Sequence, residues 1–480
     1  METYLNEKSL YIHWFRQDLR LSDNPALTQC ASNGDVLPIF ILDDCNAGAQ
    51  EPGAASRIWL HHSLIALNKS LNGELRVFKG DPIEIIPKLM SETGASGIYW
   101  NRCYEPWQIE RDRVLKLKLR AKELECESFN GSLLWEPWEV LKNDGTPYKV
   151  FTPFYRRGCL GTTEPRFPIS EPIDITLSNK EIGLTNITDL KLLPKSSWDR
   201  KVFKGWEIGE KAANLKVTDF IENRLYDYKE GRNFPSKKNV SRLSPHLHFG
   251  EVSPNQVWYA ASNPKYVNSK GKDHFLSELG WREFSNSLLY FFPNLPTESL
   301  QTRFEAFSWI EDPDLLSRWK KGSTGFPIVD AGMRELWSTG YMHNRVRMIV
   351  GSFLVKNLRL HWRNGLDWFW DCLVDADLAN NSAGWQWIAG CGADAAPYFR
   401  IFNPVLQGEK FDKDGVYTKR FVPELKDLPN KYLHCPWTAP EEVLNAANIY
   451  LGKSYPYPIV DLKQSREAAL KAFSDMKTND

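Results

Sequence analysis

A chain of 480 residues, 42% of them hydrophobic, has the length and composition of an ordinary soluble globular protein with two or three domains of roughly 100 to 200 residues each. Its 60 Lys and Arg balance 60 Asp and Glu, which excludes a global positive field, so a nucleic-acid partner has to be met by a local basic face. Eight scattered cysteines, with no CxxC pair and no Cys/His spacing of the zinc kind, read as reduced intracellular thiols, and no apolar run reaches the roughly eighteen residues of a membrane span.

Glu2, Asn6 and Glu7 precede a strand-like LYIHWF, without the basic start and apolar centre of a signal peptide. The cytoplasm is the expected compartment, with an organelle or the nucleus as alternatives. From residue 10 to about 129, strand-length apolar clusters (LYIHWF, VLPIFIL, ELRVFKG, GIYWNR, ECESFN) alternate with helical patterns such as SRIWLHHSLIALNKSL. This rhythm predicts a doubly wound α/β domain with a parallel sheet over residues 1–130. Such sheets bind flat ligands at the carboxyl ends of their strands, so WFRQDLRLSDNPAL after the first strand is the place to look for one. No GxGxxG follows that strand, which argues against a dinucleotide there.

Residues 131–205 turn to Pro, Ser, Asn and charge (EPRFPISEPIDITLSNKEIG) and predict a long interdomain connection running over the surface. Over residues 206–480 helical spacing dominates, giving an all-α second domain. Nineteen tryptophans, crowded after residue 258, are core bulk in most proteins and stacking or electron-relay rings in some.

Within the helical half, NVSRLSPHLHFGEVSP offers Ser241 and Ser244 with backbone amides before a helix, a cradle for a pyrophosphate. His246 and His248 have no third ligand at useful spacing, so no metal is expected. FLSELGWREF puts Glu278, Trp281 and Arg282 on one helix face, where Glu278 and Arg282 could also be a plain i,i+4 surface pair. YMHNRVRMIVGSFLVK does the same with Asn344, Arg347 and Met348. Residues 341–364 carry Arg345, Arg347, Lys356, Arg359 and Arg363 and no acid, a positive field for phosphates or a solvated helix face. The stretch DADLANNSAGWQWIAGCGADAAPYFRIFNP gathers Asp375, Asp377, Asn380, Asn381, Trp385, Trp387 and Arg400 among many small residues. Small residues let backbone approach a large flat ligand whose polar edge the carboxylates and amides can address; a polar interhelical connection is the plainer alternative.

Taken together, WFRQDLRLSDNPAL, SRLSPHLHFGEVSP, ELGWREF, TGFPIVDAGMRELWSTGYMHNRVRM and the DADLANN stretch resemble the photolyase and cryptochrome family over nearly the whole chain. The resemblance implies FAD, folded into a U in the helical domain, and an antenna chromophore against the α/β domain. Tyr228 and the run Val240, Ser241, Arg242, Leu243 and Ser244 fall at FAD-holding positions, with Arg282, Asn344 and Arg347 in the same cavity. Asp375, Ala376 and Asp377 fall where ribose and flavin edge are addressed. Asn381 matches the position facing flavin N5, where an amide suits a reduced, anionic ring; plant cryptochromes carry Asp there, so Asn381 favours repair over signalling. Trp385, Trp362 and Trp309 match electron-relay positions.

By the same resemblance, Glu278, Trp281, Arg282, Asn344, Met348 and Trp387 match the pocket for a cyclobutane pyrimidine dimer in UV-damaged DNA. Enzymes for the six-four photoproduct have His where Asn344 and Met348 stand. Arg232, Arg345 and Gln407 match contacts to the DNA strand. The implied activity is light-driven carbon–carbon bond cleavage by an electron from excited reduced FAD, carried out by a monomer. The implied antenna is methenyltetrahydrofolate or 8-hydroxy-5-deazaflavin, although Trp107 and Gln108 stand where folate-binding relatives have an Asn-Glu pair. A cryptochrome, a photoreceptor without repair, is the rival reading; it usually carries a long extension, whereas this sequence stops at Asp480. An ordinary flavin oxidoreductase would need a nicotinamide site, and none is legible.

Overall fold

Five parallel strands in the order β3-β2-β1-β4-β5 form the sheet of the N-terminal half. They are β1 (Leu10–Phe15), β2 (Asp35–Leu42), β3 (Arg76–Lys79), β4 (Gly97–Asn101) and β5 (Glu125–Phe129). The structure, a computed structural model, describes residues 9–184, 186–195, 198, 205–266, 270–395, 397–398 and 400–477. Alternate side chains of the strands feed two cores. Phe15, Val36, Phe40 and Val77 pack on one face with helices α1 (Pro25–Asn33) and α2 (Ala54–Ser70). Ile12, Trp14, Leu37, Ile39 and Trp100 pack on the other with α3 (Pro82–Thr93) and α4 (Pro106–Arg120). A parallel sheet covered on both faces explains why β2 reads as a continuous apolar run rather than an alternating one.

The WFRQDLRLSDNPAL stretch, singled out as the place to look for a ligand after β1, makes a junction. Its backbone and side chains join the two halves of the molecule. Leu19 N donates to Phe249 O at 3.1 Å, Arg20 donates to Gly250 O at 2.9 Å and to Gly131 O at 2.6 Å, and Leu21 N and Ser22 N donate to Glu210 at 2.8 and 2.9 Å. Gly250 sits at φ +68°, and a Cβ there would lie 2.1 Å from Gln17 O, so only glycine fits. Trp59, fully buried, closes the same junction by donating to Glu251 at 3.1 Å.

The connection expected to run over the surface does so only in part. Leu134, Trp135 and Phe154 are buried in the core of the helical half, and Ile187, Leu190 and Leu192 are buried against the sheet. Apolar side chains spaced without period gave no sequence signal for this, because each reaches a different neighbour.

The helical half contains α5 (Glu210–Asn223), α6 (Lys270–Phe291), α7 (Pro327–Thr339), α8 (Asn344–Ser352), α9 (Trp362–Cys372), α10 (Leu378–Ala389), α11 (Pro404–Phe411) and α12 (Leu462–Lys477), among shorter pieces. Helix α10 packs against α6, α8 and α9, and this grouping positions the site. Among the described residues no helix is long and apolar enough to cross a membrane.

Candidate active site

A cavity of about 530 Å³ opens between α6, α8 and α10 and the turn before residue 248, within the usual range of roughly 300 to 1,000 Å³ for ligand sites. Helix α10 makes its floor possible. Asp377 caps the helix, its carboxylate accepting from Asn380 N at 2.8 Å, and the next exposed turn carries Ala383 and Gly384. A Cβ on Gly384 would meet nothing within 4 Å, so open space lies over this face. The small residues therefore act as the sequence suggests, by keeping side chains out of a large slot.

The two acids expected to address a ligand line the cavity and are also held by protein partners. Asp375 takes Arg347 Nη2 on both oxygens, at 3.0 and 2.9 Å, and the Ser244 hydroxyl at 2.5 Å. Burial works against the Arg347 charge, yet Asp375 holds its pKa above the ordinary value. Burial likewise works against Asp377, while the His248 ring, 3.5 Å away, and the Asn380 amide keep its pKa below the usual carboxylate range. Local spacing cannot show which partners distant in sequence a carboxylate already holds. Asn381 donates its amide to Leu366 O at 3.0 Å, which leaves its oxygen as the polar end available to the cavity.

On the α6 side, Glu278 and Trp281 line the cavity together with Arg282. The i,i+4 pair of Glu278 with Arg282 is not made: Arg282 donates to Glu283 at 2.8 Å and Ser132 O at 2.7 Å, while Glu278 is held by Arg232. Phe151, from the connecting stretch, stacks on Trp281 with ring centroids 3.9 Å apart. On the facing side Asn344 opens α8 and Met348 follows one turn later. His343 caps that helix. Burial, and behind it the charges of Arg232, Arg345 and Arg347, push its pKa down to about 3, so its neutral Nδ1 accepts from Arg345 N at 3.2 Å.

Most of the sequence-derived residues share this cavity. Tyr228, Ser241, Leu243 and Ser244 line one end, Ala376 joins Asp375 and Asp377, and Trp385 and Trp387 face in from α10. Val240, Arg242, Arg345 and Gln407 stand outside its wall. Arg242 has φ +54° and lies between rings, 3.9 Å from the Trp206 centroid and 4.8 Å from that of Tyr341. Arg345 bonds Asn233 and lies 4.5 Å over Phe411, which stands one turn beyond half-buried Gln407 on α11. His248 and Phe151 are site residues that sequence reasoning missed. His248 was legible only as half of a metal pair; among the described residues no group of three His, Cys, Asp or Glu is arranged to hold a metal.

Trp385 and Trp362 are buried in one core, and half-buried Trp309 packs against it. The Trp385 ring rests on Gly365, one turn beyond Trp362, where a Cβ would lie 2.1 Å from it. His361 bridges the outer two, 5.5 Å from Trp362 and 5.0 Å from Trp309 by ring centroids.

Family models for DNA photolyase and for the FAD binding domain of DNA photolyase match residues 11–171 and 275–475. The deoxyribodipyrimidine photo-lyase of Agrobacterium fabrum is 48% identical over 472 residues, 97% of this chain and 98% of that protein. The chain belongs to the photolyase and cryptochrome family. A class III photolyase crystal structure from Agrobacterium tumefaciens superposes with a TM-score of 0.95 at 46% identity, covering 99% of this chain and 100% of that one. Cryptochrome-2 of Arabidopsis thaliana is 38% identical over 480 residues, 96% of this chain and 78% of that protein. The matched FAD-binding domain contains α6, α8, α9 and α10, the helices that frame the cavity.

FAD fits the residues present. The open face at Gly384, the Arg347 cation and Ser241 at one end, and the free oxygen of Asn381 provide room, charge and a polar contact of the kinds a dinucleotide flavin uses.

Proposed function

We propose that this photolyase-family protein repairs cyclobutane pyrimidine dimers in DNA under blue light. One observation carries the reading: Glu278, Trp281, Asn344, Met348 and Trp387 share a single cavity with Asn381 and Trp385, so a lesion and a flavin held there are neighbours. Tyr228, Ser241, Leu243, Ser244, Arg282, Arg347 and Asn381 would hold the FAD. When bound and reduced, it supplies on excitation the electron that opens the cyclobutane ring and then takes it back.

The protein's own side chains do the rest. Trp281 and Trp387 offer aromatic walls to the paired pyrimidines, and Glu278 and Asn344 meet their polar edges, Glu278 accepting a ring N–H as the carboxylate and, as the protonated acid, donating to the carbonyl where negative charge develops. The pair must leave the stack to reach this depth; photolyases are among the enzymes that act in this way, and a lesion's weakened pairing lowers the cost. Arg232 and Arg345, at the rim, and Gln407 on α11 would hold the strand by its phosphates. Trp385, Trp362 and Trp309 would pass electrons inward from the surface. The amide of Asn381 adds no negative charge beside the flavin.

An antenna chromophore against the α/β domain is part of the proposal. Trp107 and Gln108 each donate to Glu105, at 2.8 and 3.0 Å, so the indole hydrogen and one amide hydrogen are already engaged, which argues against a folate held by these two positions. A deazaflavin or a folate in another pose is the proposed occupant. We further propose a monomer working in the cytoplasm.

The likeness to a plant cryptochrome at 38% identity favours a second reading, a blue-light photoreceptor without repair. Irradiating a thymine-dimer oligonucleotide with blue light in the presence of the reduced protein separates the two. Loss of the dimer supports repair, and an intact dimer with a photoreducible flavin supports the receptor.

A further inference from the structure

Both carboxylate oxygens of Glu278 are taken. Arg232 closes on them with a two-pronged contact, Nη2 to Oε2 at 2.9 Å and Nη1 to Oε1 in a shorter bond. The His274 ring stands 2.8 Å from Arg232 Nη1 and 3.8 Å from Glu278 Oε1, and the Tyr228 ring lies 5.3 Å under the guanidinium. The side chains are 14% and 30% exposed, so the pair faces the cavity mouth, where solvent and a ligand can reach it. A carboxylate bound through both oxygens to a guanidinium keeps only its outer lone pairs, with its charge already neutralised, so it meets a pyrimidine edge less strongly than a free one does. Arg232 bound to that carboxylate cannot also grip a phosphate with the same fork.

We infer that the Arg232–Glu278 pair is a selectivity latch: DNA draws Arg232 onto a strand phosphate, and the freed Glu278 is compensated only when a lesion enters the cavity. This deepens the proposed function and rests on it. On undamaged DNA the protein breaks a charge-assisted pair and gains one phosphate contact, with Glu278 left facing an empty wall. On damaged DNA the same carboxyl acquires a partner. The pair therefore weakens binding to undamaged strands more than binding to lesions, a specificity device built from an opposing interaction. Neighbouring geometry suits the exchange, since Asn233, next to Arg232, is bonded by Arg345, which places two cations side by side on the rim.

The test measures affinity of the FAD-loaded protein for a short single-stranded oligonucleotide without a lesion, in the dark. Glu278→Gln keeps the side-chain shape and removes the charge that holds Arg232. It is expected to bind undamaged DNA up to about five-fold more tightly, the scale of a partly exposed ion pair. In an Arg232→Gln background the Glu278→Gln change is expected to give no such gain. Equal affinity of Glu278→Gln and the parent overturns the latch, and so does a gain that persists without Arg232, because that would be a bulk charge effect. Arg232→Lys, which keeps the charge and loses the fork, is expected to fall between the two, with flavin absorbance confirming an intact fold in every variant. Failure of dimer repair in the parent would overturn the function while leaving these dark affinities as an independent result.

Discussion

The Phe151 ring lies nearly parallel to that of Trp281, at 11° and 3.9 Å between centroids, and Tyr155 stacks on Phe151 in turn at 5.6 Å. A wall of the cavity is thus supported by residues outside the helices that frame it. The backbone of the same segment is fixed by Asp394, which accepts from Phe151 N at 3.2 Å. Phe151→Leu keeps bulk and removes the stack, worth about 0.5 to 1.5 kcal/mol. Affinity for a dimer-containing oligonucleotide is expected to fall by up to roughly ten-fold, with flavin photoreduction unchanged. Binding titration and a blue-light absorbance time course check the two halves.

Glu278→Ala is expected to lower repair per absorbed photon several-fold more than it lowers affinity for the lesion, because the carboxyl acts on charge that appears only during the reaction. Dimer loss under saturating DNA, normalised to photons, measures this. Equal yield in the variant would remove the role.

Trp362 is fully buried behind Trp385, and its indole nitrogen has no partner. Trp362→Phe is expected to abolish light-driven reduction of the oxidised flavin while sparing repair by protein reduced chemically beforehand. Unchanged photoreduction would mean that electrons enter by another set of rings.

Asp375→Asn leaves the half-buried Arg347 against a neutral partner. Breaking a buried ion pair from one side costs about 3 to 5 kcal/mol; the loss here falls below that of a fully buried pair, and thermal stability and FAD retention are both expected to drop. Ser244→Ala removes one hydroxyl donor and is expected to cost about 1 kcal/mol. Melting curves and the flavin-to-protein absorbance ratio distinguish the two.

Glu283 is 2% exposed and accepts from Leu134 N, Trp135 N and Arg282, yet burial pushes its pKa up to about 7 from the ordinary 4.5. The folded state then binds a proton more tightly than the unfolded one. Its contribution to stability is full below pH 4.5 and is lost as pH rises through 7, on the order of 1 to 3 kcal/mol. A Glu283→Gln variant is expected to lack this decline. Melting temperatures between pH 5 and 7.5 would show a flatter profile than the parent.

Much of the architecture was legible in the sequence. The alternation of strand-length and helix-length patterns marks the sheet, and helix-face spacing brings Glu278 with Trp281 and Asn344 with Met348. Pairing was not legible. Arg282 beside Glu278 on one face suggests a local bond, but the adjacent Glu283 and the distant Ser132 O win it. The partners of Asp375 and the neighbour of Asp377 were hidden too, because Arg347, Ser244 and His248 are each brought in by tertiary packing. Phe151 was hidden for the same reason, in a stretch whose composition reads as exposed connection.

Because Gly250 and Gln17 touch where no side chain could be inserted, the two halves cannot slide or tilt past one another without breaking backbone bonds. A pigment seated on the sheet would therefore keep a constant separation and dipole angle relative to one among the helices. Resonance transfer between two such pigments depends on both quantities, so a glycine where no light is absorbed would help set how well the one feeds the other.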